Sequence, residues 1–110
     1  MYKIIRQTDT LKRIISPTKS ATNYITKDIS PNISLATTKG INCNEKEICL
    51  YDRIYFVLSG VLRLNFDNSI VEINSQDSCF VSKNTTYTIS GTFEAIVINS
   101  PAFDTNIKLD

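Results

Sequence analysis

The sequence predicts an all-β protein, an antiparallel sandwich or small barrel, and three observations carry that expectation. Apolar runs are short and rich in β-branched and aromatic residues. No window shows a sustained helical stripe. Six or more strand-like segments follow one another at regular spacing, joined by short polar turns. With three glycines and three prolines in 110 residues, those turns must lean on Asn, Asp, Ser and Thr, whose side chains bond to nearby backbone.

Taken in order, Tyr2–Arg6 reads as a first short strand. Thr10–Ile15 places Leu11, Ile14 and Ile15 at helical spacing, but Pro17 limits any helix there to a single turn. Residues 16–32 are polar, framed by Pro17 and Pro31, and read as irregular with a short strand near Asn23–Thr26. Ile33–Thr38 alternates apolar and polar, and Gly40 and Asn42 give a break. Glu47–Leu58 is the strongest strand stretch. Strand neighbours point to opposite faces, so one face carries Glu47, Cys49, Tyr51, Arg53, Tyr55 and Val57. The other carries Ile48, Leu50, Ile54, Phe56 and Leu58, interrupted by Asp52.

Ser59-Gly60 permits a kink before Val61–Phe66. Asp67-Asn68-Ser69 is a hairpin turn into Ile70–Ile73, and Asn74–Asp77 turns again. Ser78–Ser82 is a short strand, Lys83–Thr86 a turn, and Tyr87–Ser90 a further strand. Gly91-Thr92 turns into Phe93–Asn99, and Pro101 ends it.

A chain of this length is one domain and buries roughly two-thirds of its unfolded surface, enough for a core without staples. The net charge of +1 gives no general attraction to nucleic acid or anionic membrane, so neither is an expected partner. The N-terminus shows no leader pattern, and no run approaches the ~20 apolar residues that span a bilayer. Cys43, Cys49 and Cys79 are odd in number and form no CxxC pair, which points to reduced thiols and a cytoplasmic protein. Cys79 beside Phe80 and Val81 reads as core, and Cys43 as an exposed loop residue.

Two stretches carry a family resemblance. Tyr51–Leu62 ends on Ser59-Gly60-Val61-Leu62, and Asn74–Tyr87 holds Gln76-Asp77, Ser82, Asn84 and Tyr87. Together they resemble the two signature motifs of a cupin barrel over roughly residues 33–103. Gly60 falls on the glycine of the first motif, Arg53 on its acidic ligand, and Glu47 and Cys49 on its His-x-His pair. In the second motif Gly, Pro, Gly and His have become Gln76, Ser82, Asn84 and Tyr87, with Asp77 retained. Leu50–Ile54 and Ser100–Phe103 look similar to the ethanolamine-utilisation Q-type cupins, which are also poor in metal-binding histidine. The resemblance implies an antiparallel jelly-roll barrel (a double-stranded β-helix) and a homodimer. It divides the chain into an N-terminal segment, 1–32, on the barrel or a partner subunit, and a barrel, 33–110, as one domain overall.

The replaced positions decide the expected chemistry. The chain has no histidine, and a protonated guanidinium at Arg53 cannot ligate a dication and repels one. No metal and no other cofactor is therefore expected. Glu47, Cys49, Arg53, Tyr55 and Tyr87 are the candidate ligand-binding residues, with Val57 as an apolar wall. Arg53 binds carboxylate or phosphate in two-point fashion, and the tyrosines add hydroxyl donors. Arg53 could equally pair with Glu47 inside the barrel as a satisfied ion pair. Cys49 needs a base to act as a nucleophile, and there is no histidine to serve, so a packed thiol competes with that role.

The expected function is metal-free binding of a small polar or anionic molecule. The alternatives are a metal-independent isomerase, lyase or phosphotransfer-accessory enzyme using Glu47 and Tyr87, and a non-catalytic scaffold. The apolar face of Ile54, Phe56 and Leu58 is expected partly between the two sheets and partly at a subunit contact.

Overall fold

A computed structural model of the chain describes residues 1–104; the expected barrel segment 105–110 lies outside them. Seven strands follow a short 3-10 turn at Gln7–Asp9: β1 Lys12–Ser16, β2 Lys19–Ile25, β3 Ser34–Cys49, β4 Asp52–Phe66, β5 Ser69–Asn74, β6 Ser78–Val81 and β7 Thr85–Ser100. Every pairing is antiparallel. The strands lie in the order β1-β2-β3-β7-β4-β5, with β6 paired to β4. The fold is the all-β jelly roll that the motifs imply.

Several boundaries differ from the expected ones, for physical reasons. Tyr2–Arg6 is not a strand and does not join the sheet. Thr10–Ile15 is not a helical turn, because its β-branched Ile14 and Ile15 belong to β1, hydrogen-bonded to β2 across the Ser16–Lys19 turn. The region read as irregular contains the whole of β2. Glu47–Leu58 is two strands: β3 ends at Cys49, the chain turns through Leu50 and Tyr51, and β4 starts at Asp52. Conversely, Tyr87–Ser90 and Phe93–Asn99 are one strand, β7, which bends at Gly91 without leaving the ladder.

The three long strands bend at one level. The β3–β7 register shifts between Gly40 and Cys43, and the β4–β7 register shifts between Val57 and Ser59. Gly40 and Gly60 both face Phe93, while Cys43 and Leu62 both face Gly91. The three glycines of the chain therefore all sit on the bend. Gly60 and Gly91 hold φ of +77° and +111°, which side chains other than glycine's rarely adopt. A Cβ at Gly91 would lie 2.5 Å from the Val61 carbonyl oxygen.

The bends fold one ladder into two facing layers. Tyr55 is the register partner of Val97, ten residues beyond Tyr87 on the same strand. That would be roughly 33 Å along a straight strand, yet the Tyr55 and Tyr87 hydroxyls touch. Apolar side chains fill the space beside the bend: Val57, Leu62, Leu64, Ile73, Ile89, Phe93 and Ala95 are buried. Leu62 and Leu64 have no exposed surface, and truncating such a leucine to alanine costs about 2–5 kcal/mol. Cys43, expected in an exposed loop, is buried in this cluster.

The face of β4 opposite the core is not between the layers. Ile54 pairs in register with Ile98 on one side and Phe80 on the other, and Ile98 pairs with Leu35. This row stands on the outside of the barrel, with Ile54 40% and Phe80 63% exposed. Among the described residues no helix is long and apolar enough to cross a membrane.

Candidate functional site

The inward parity of the Glu47–Val57 stretch survives the corner at residues 50–51. Cys49, Tyr51, Arg53, Tyr55 and Val57 are all buried, and Glu47 is partly so. Arg53 and Asn99 are register partners on β4 and β7, and Arg53 Nε donates to Asn99 Oδ1 at 2.7 Å. Arg53 Nη1 donates to the Tyr55 hydroxyl at 3.3 Å and to the Tyr87 hydroxyl at 3.1 Å. The two hydroxyls are 2.5 Å apart. Glu47 Oε2 lies 3.9 Å from Arg53 Nη1, and Glu47 Oε1 is ion-paired with Lys19 Nζ from β2. The cluster thus ties one layer of the barrel to the other.

Charge states follow from burial and neighbours. Burial works against the Arg53 charge, but the Tyr55 and Tyr87 oxygens around it more than offset that, so its pKa is held above the ordinary arginine value. Burial pushes both tyrosines up, against the opposing pull of Arg53, and both stay protonated as donors. Burial also pushes the Cys43 and Cys79 thiols up, which makes them poor nucleophiles. The Cys49 thiol is buried and donates to the Tyr51 carbonyl oxygen at 2.8 Å, the geometry of a packed thiol.

A cavity of about 300 Å³ opens on this cluster. Glu47, Arg53, Tyr55 and Asn99 line its polar side, and Ile15, Ile25, Ile89, Val97 and Phe103 supply apolar wall. Of the five candidate residues, Glu47, Arg53 and Tyr55 therefore face the cavity. Tyr87 stands behind Tyr55, and Cys49 points into the apolar core. Asp52, on the opposite side of β4, accepts the backbone N–H of Lys83 and fastens the turn before β7.

Arg13, Lys19 and Asn99 line the cavity but carry no functional weight in the sequence reading. The first two fall in the part read as a helical turn and loop, where no face can be assigned. Asn99 had a signal, because it continues the inward series Phe93, Ala95, Val97 by strict alternation.

The positions corresponding to cupin metal ligands do not form a metal donor set. Glu47 is engaged by two cations, Cys49 is turned away, and the Arg53 guanidinium occupies the centre. Among the described residues no three His, Cys, Asp or Glu side chains cluster as a metal site would need.

No family model and no curated protein matches the sequence. Solved structures do. KdgF from Halomonas sp. aligns at a TM-score of 0.82 with 12% identity, covering 97% of this chain and 100% of its own. An RmlC-like cupin from Shewanella frigidimarina aligns at 0.79 with 14% identity, covering 97% of each chain. The ethanolamine utilization protein EutQ of Clostridium difficile aligns at 0.71 with 20% identity, covering 91% of this chain and 82% of its own. The strand order, the bend shared by three long strands and these alignments agree: the chain has the RmlC-like cupin fold, with EutQ among its structural relatives.

Proposed function

We propose that this protein holds a small polar or anionic molecule in its barrel, without a metal. One observation carries the reading: Lys19 and Arg53, 7% and 8% exposed, share the single carboxylate of Glu47. This buried part of the wall thus keeps one positive charge more than it neutralises, and burying an unmatched charge is costly until an anion or dipole answers it. The hydroxyls add a donor. Arg53 serves both phenol oxygens, and one phenol proton bridges the pair; with Tyr87 as the donor of that bridge, the Tyr55 proton is left to give to the cavity. The cavity volume is that of a small-molecule site.

Binding is favoured over acid–base catalysis by Glu47 with Tyr87. Glu47 is held between two cations, and Tyr87 does not line the cavity. A thermal-shift screen of the whole protein against small carboxylates, phosphates, amines and divalent metals tests the reading. An organic ligand is expected to raise Tm, and Zn²⁺, Ni²⁺ and Fe²⁺ are expected to leave it unchanged. Stabilisation by a metal alone would sink the proposal.

We also propose a homodimer through the outer row Leu35, Ile98, Ile54 and Phe80. The row is uncharged, so a two-fold axis can lay it on itself without setting like charges against each other. Sedimentation velocity is expected to give a dimer for the wild type and a monomer for Phe80→Glu. A monomeric wild type would refute this assembly.

A further inference from the structure

Four cationic residues line the cavity, and one of them, Arg13, has no ion-pair partner among the described residues. Arg13 stands on β1 opposite Ala21 of β2 and lines the cavity. Its guanidinium lies over the Phe103 ring, with Cζ 4.8 Å from the centroid. Phe103 is itself fixed, since its N–H donates to Ser34 Oγ at 2.8 Å and its ring meets that of Tyr51. The Arg13 Nε is buried, and no hydrogen-bond acceptor among the described residues reaches it. Leaving a buried donor unanswered costs about 1–3 kcal/mol, and more for a charged group. Such orphans therefore point to a missing partner.

Each of the other lining cations has a carboxylate within ion-pair distance, though two of them share one. Lys19 and Arg53 pair with Glu47, and Lys27 pairs with Asp104 at 3.1 Å. Asp28, the remaining lining acid, is exposed at the rim, where water screens it.

We propose that Arg13 binds the carboxylate of the barrel's ligand, and that this ligand is a small organic acid with an apolar or aromatic body. The inference rests on reading the barrel as a small-molecule site. The cation–π contact with Phe103 holds the guanidinium in place, and its N–H groups suit a two-point contact with a planar anion. Ile15, Ile25, Ile89 and Val97 give the ligand body an apolar wall. The apolar wall beside the guanidinium suits the organic body of a carboxylate, a body that inorganic phosphate lacks.

Benzoate and benzamide have nearly the same shape and differ by a charge. Isothermal titration of both into the whole protein, into Arg13→Gln and into Arg13→Lys reads the contact directly. The wild type is expected to bind benzoate about tenfold or more tighter than benzamide. Arg13→Gln is expected to lose that preference while keeping the wild-type circular dichroism. Arg13→Lys is expected to recover part of it, since charge returns without the fork. Retention of the full preference by Arg13→Gln overturns the inference, as does tighter binding of inorganic phosphate than of benzoate. No heat with benzoate, while another member of the screening panel still raises Tm, overturns the inference and leaves barrel binding standing. A panel with no stabilising member removes both.

Discussion

The Gly91→Val substitution is expected to unfold the protein. Position 91 holds φ of +111°, and its ideal Cβ would lie 2.5 Å from the Val61 carbonyl oxygen. A residue forced into so sparsely populated a conformation costs about 1–3 kcal/mol before any clash is counted. The clash falls on backbone, which cannot swing aside as a side chain would, and valine adds two methyl groups beyond that Cβ. The sum approaches the whole stability of a small domain, roughly 5–15 kcal/mol. Gly91→Ala isolates the smallest version of the effect and is expected to lose about 3 kcal/mol or more in urea titration followed by circular dichroism. If Gly91→Ala unfolds at the wild-type urea midpoint, the shared bend is not what the fold depends on.

The Arg53→Met substitution is expected to cost about 3 kcal/mol, because it leaves several buried groups unanswered at once. Asn99 Oδ1 loses its donor, and the two tyrosine oxygens lose theirs, inside a cluster that links the two layers. Glu47 keeps Lys19, so no orphan carboxylate is created there. Removing both ends of a buried hydrogen bond is gentler than removing one. Arg53→Met with Asn99→Leu is therefore expected to recover part of the loss, which a double-mutant cycle in urea would measure. A single Arg53→Met variant as stable as wild type would show that the cluster contributes nothing to holding the layers together. The same geometry limits the guanidinium as a ligand contact. Its Nε and Nη1 already serve Asn99 and the two hydroxyls, so its main role is to position Tyr55.

How much of this was legible in the chain depends on the residues. The inward face of Glu47, Cys49, Arg53, Tyr55 and Val57 was readable because parity is a property of extended backbone and passed through the corner at 50–51 unchanged. The corner itself was not readable, since Leu50 and Tyr51 have strand-like character and nothing in their side chains marks a turn. Gln76 and Asn84 stand where the cupin motif has glycine, yet the backbone keeps what glycine provides there. Both residues hold positive φ, +73° and +68°. Asparagine tolerates that conformation readily; for Gln76 no side-chain reason is visible. Arg13 and Lys19 were hidden for a different cause. Leu11, Ile14 and Ile15 have helical spacing, and pairing with β2, itself laid along the more distant β3, decides the matter for strand.

The central place of β7 has a consequence for how the chain must be made. β3 and β4 emerge from the ribosome well before β7, but neither is the other's neighbour; each finds its long partner only in β7. Until residues 85–100 appear, a nascent chain can form local hairpins such as β4–β5, while two long strand edges wait unzipped. Closure is therefore a single late event that joins the first half of the chain to the second, and chains halted before it are the ones chaperones must hold.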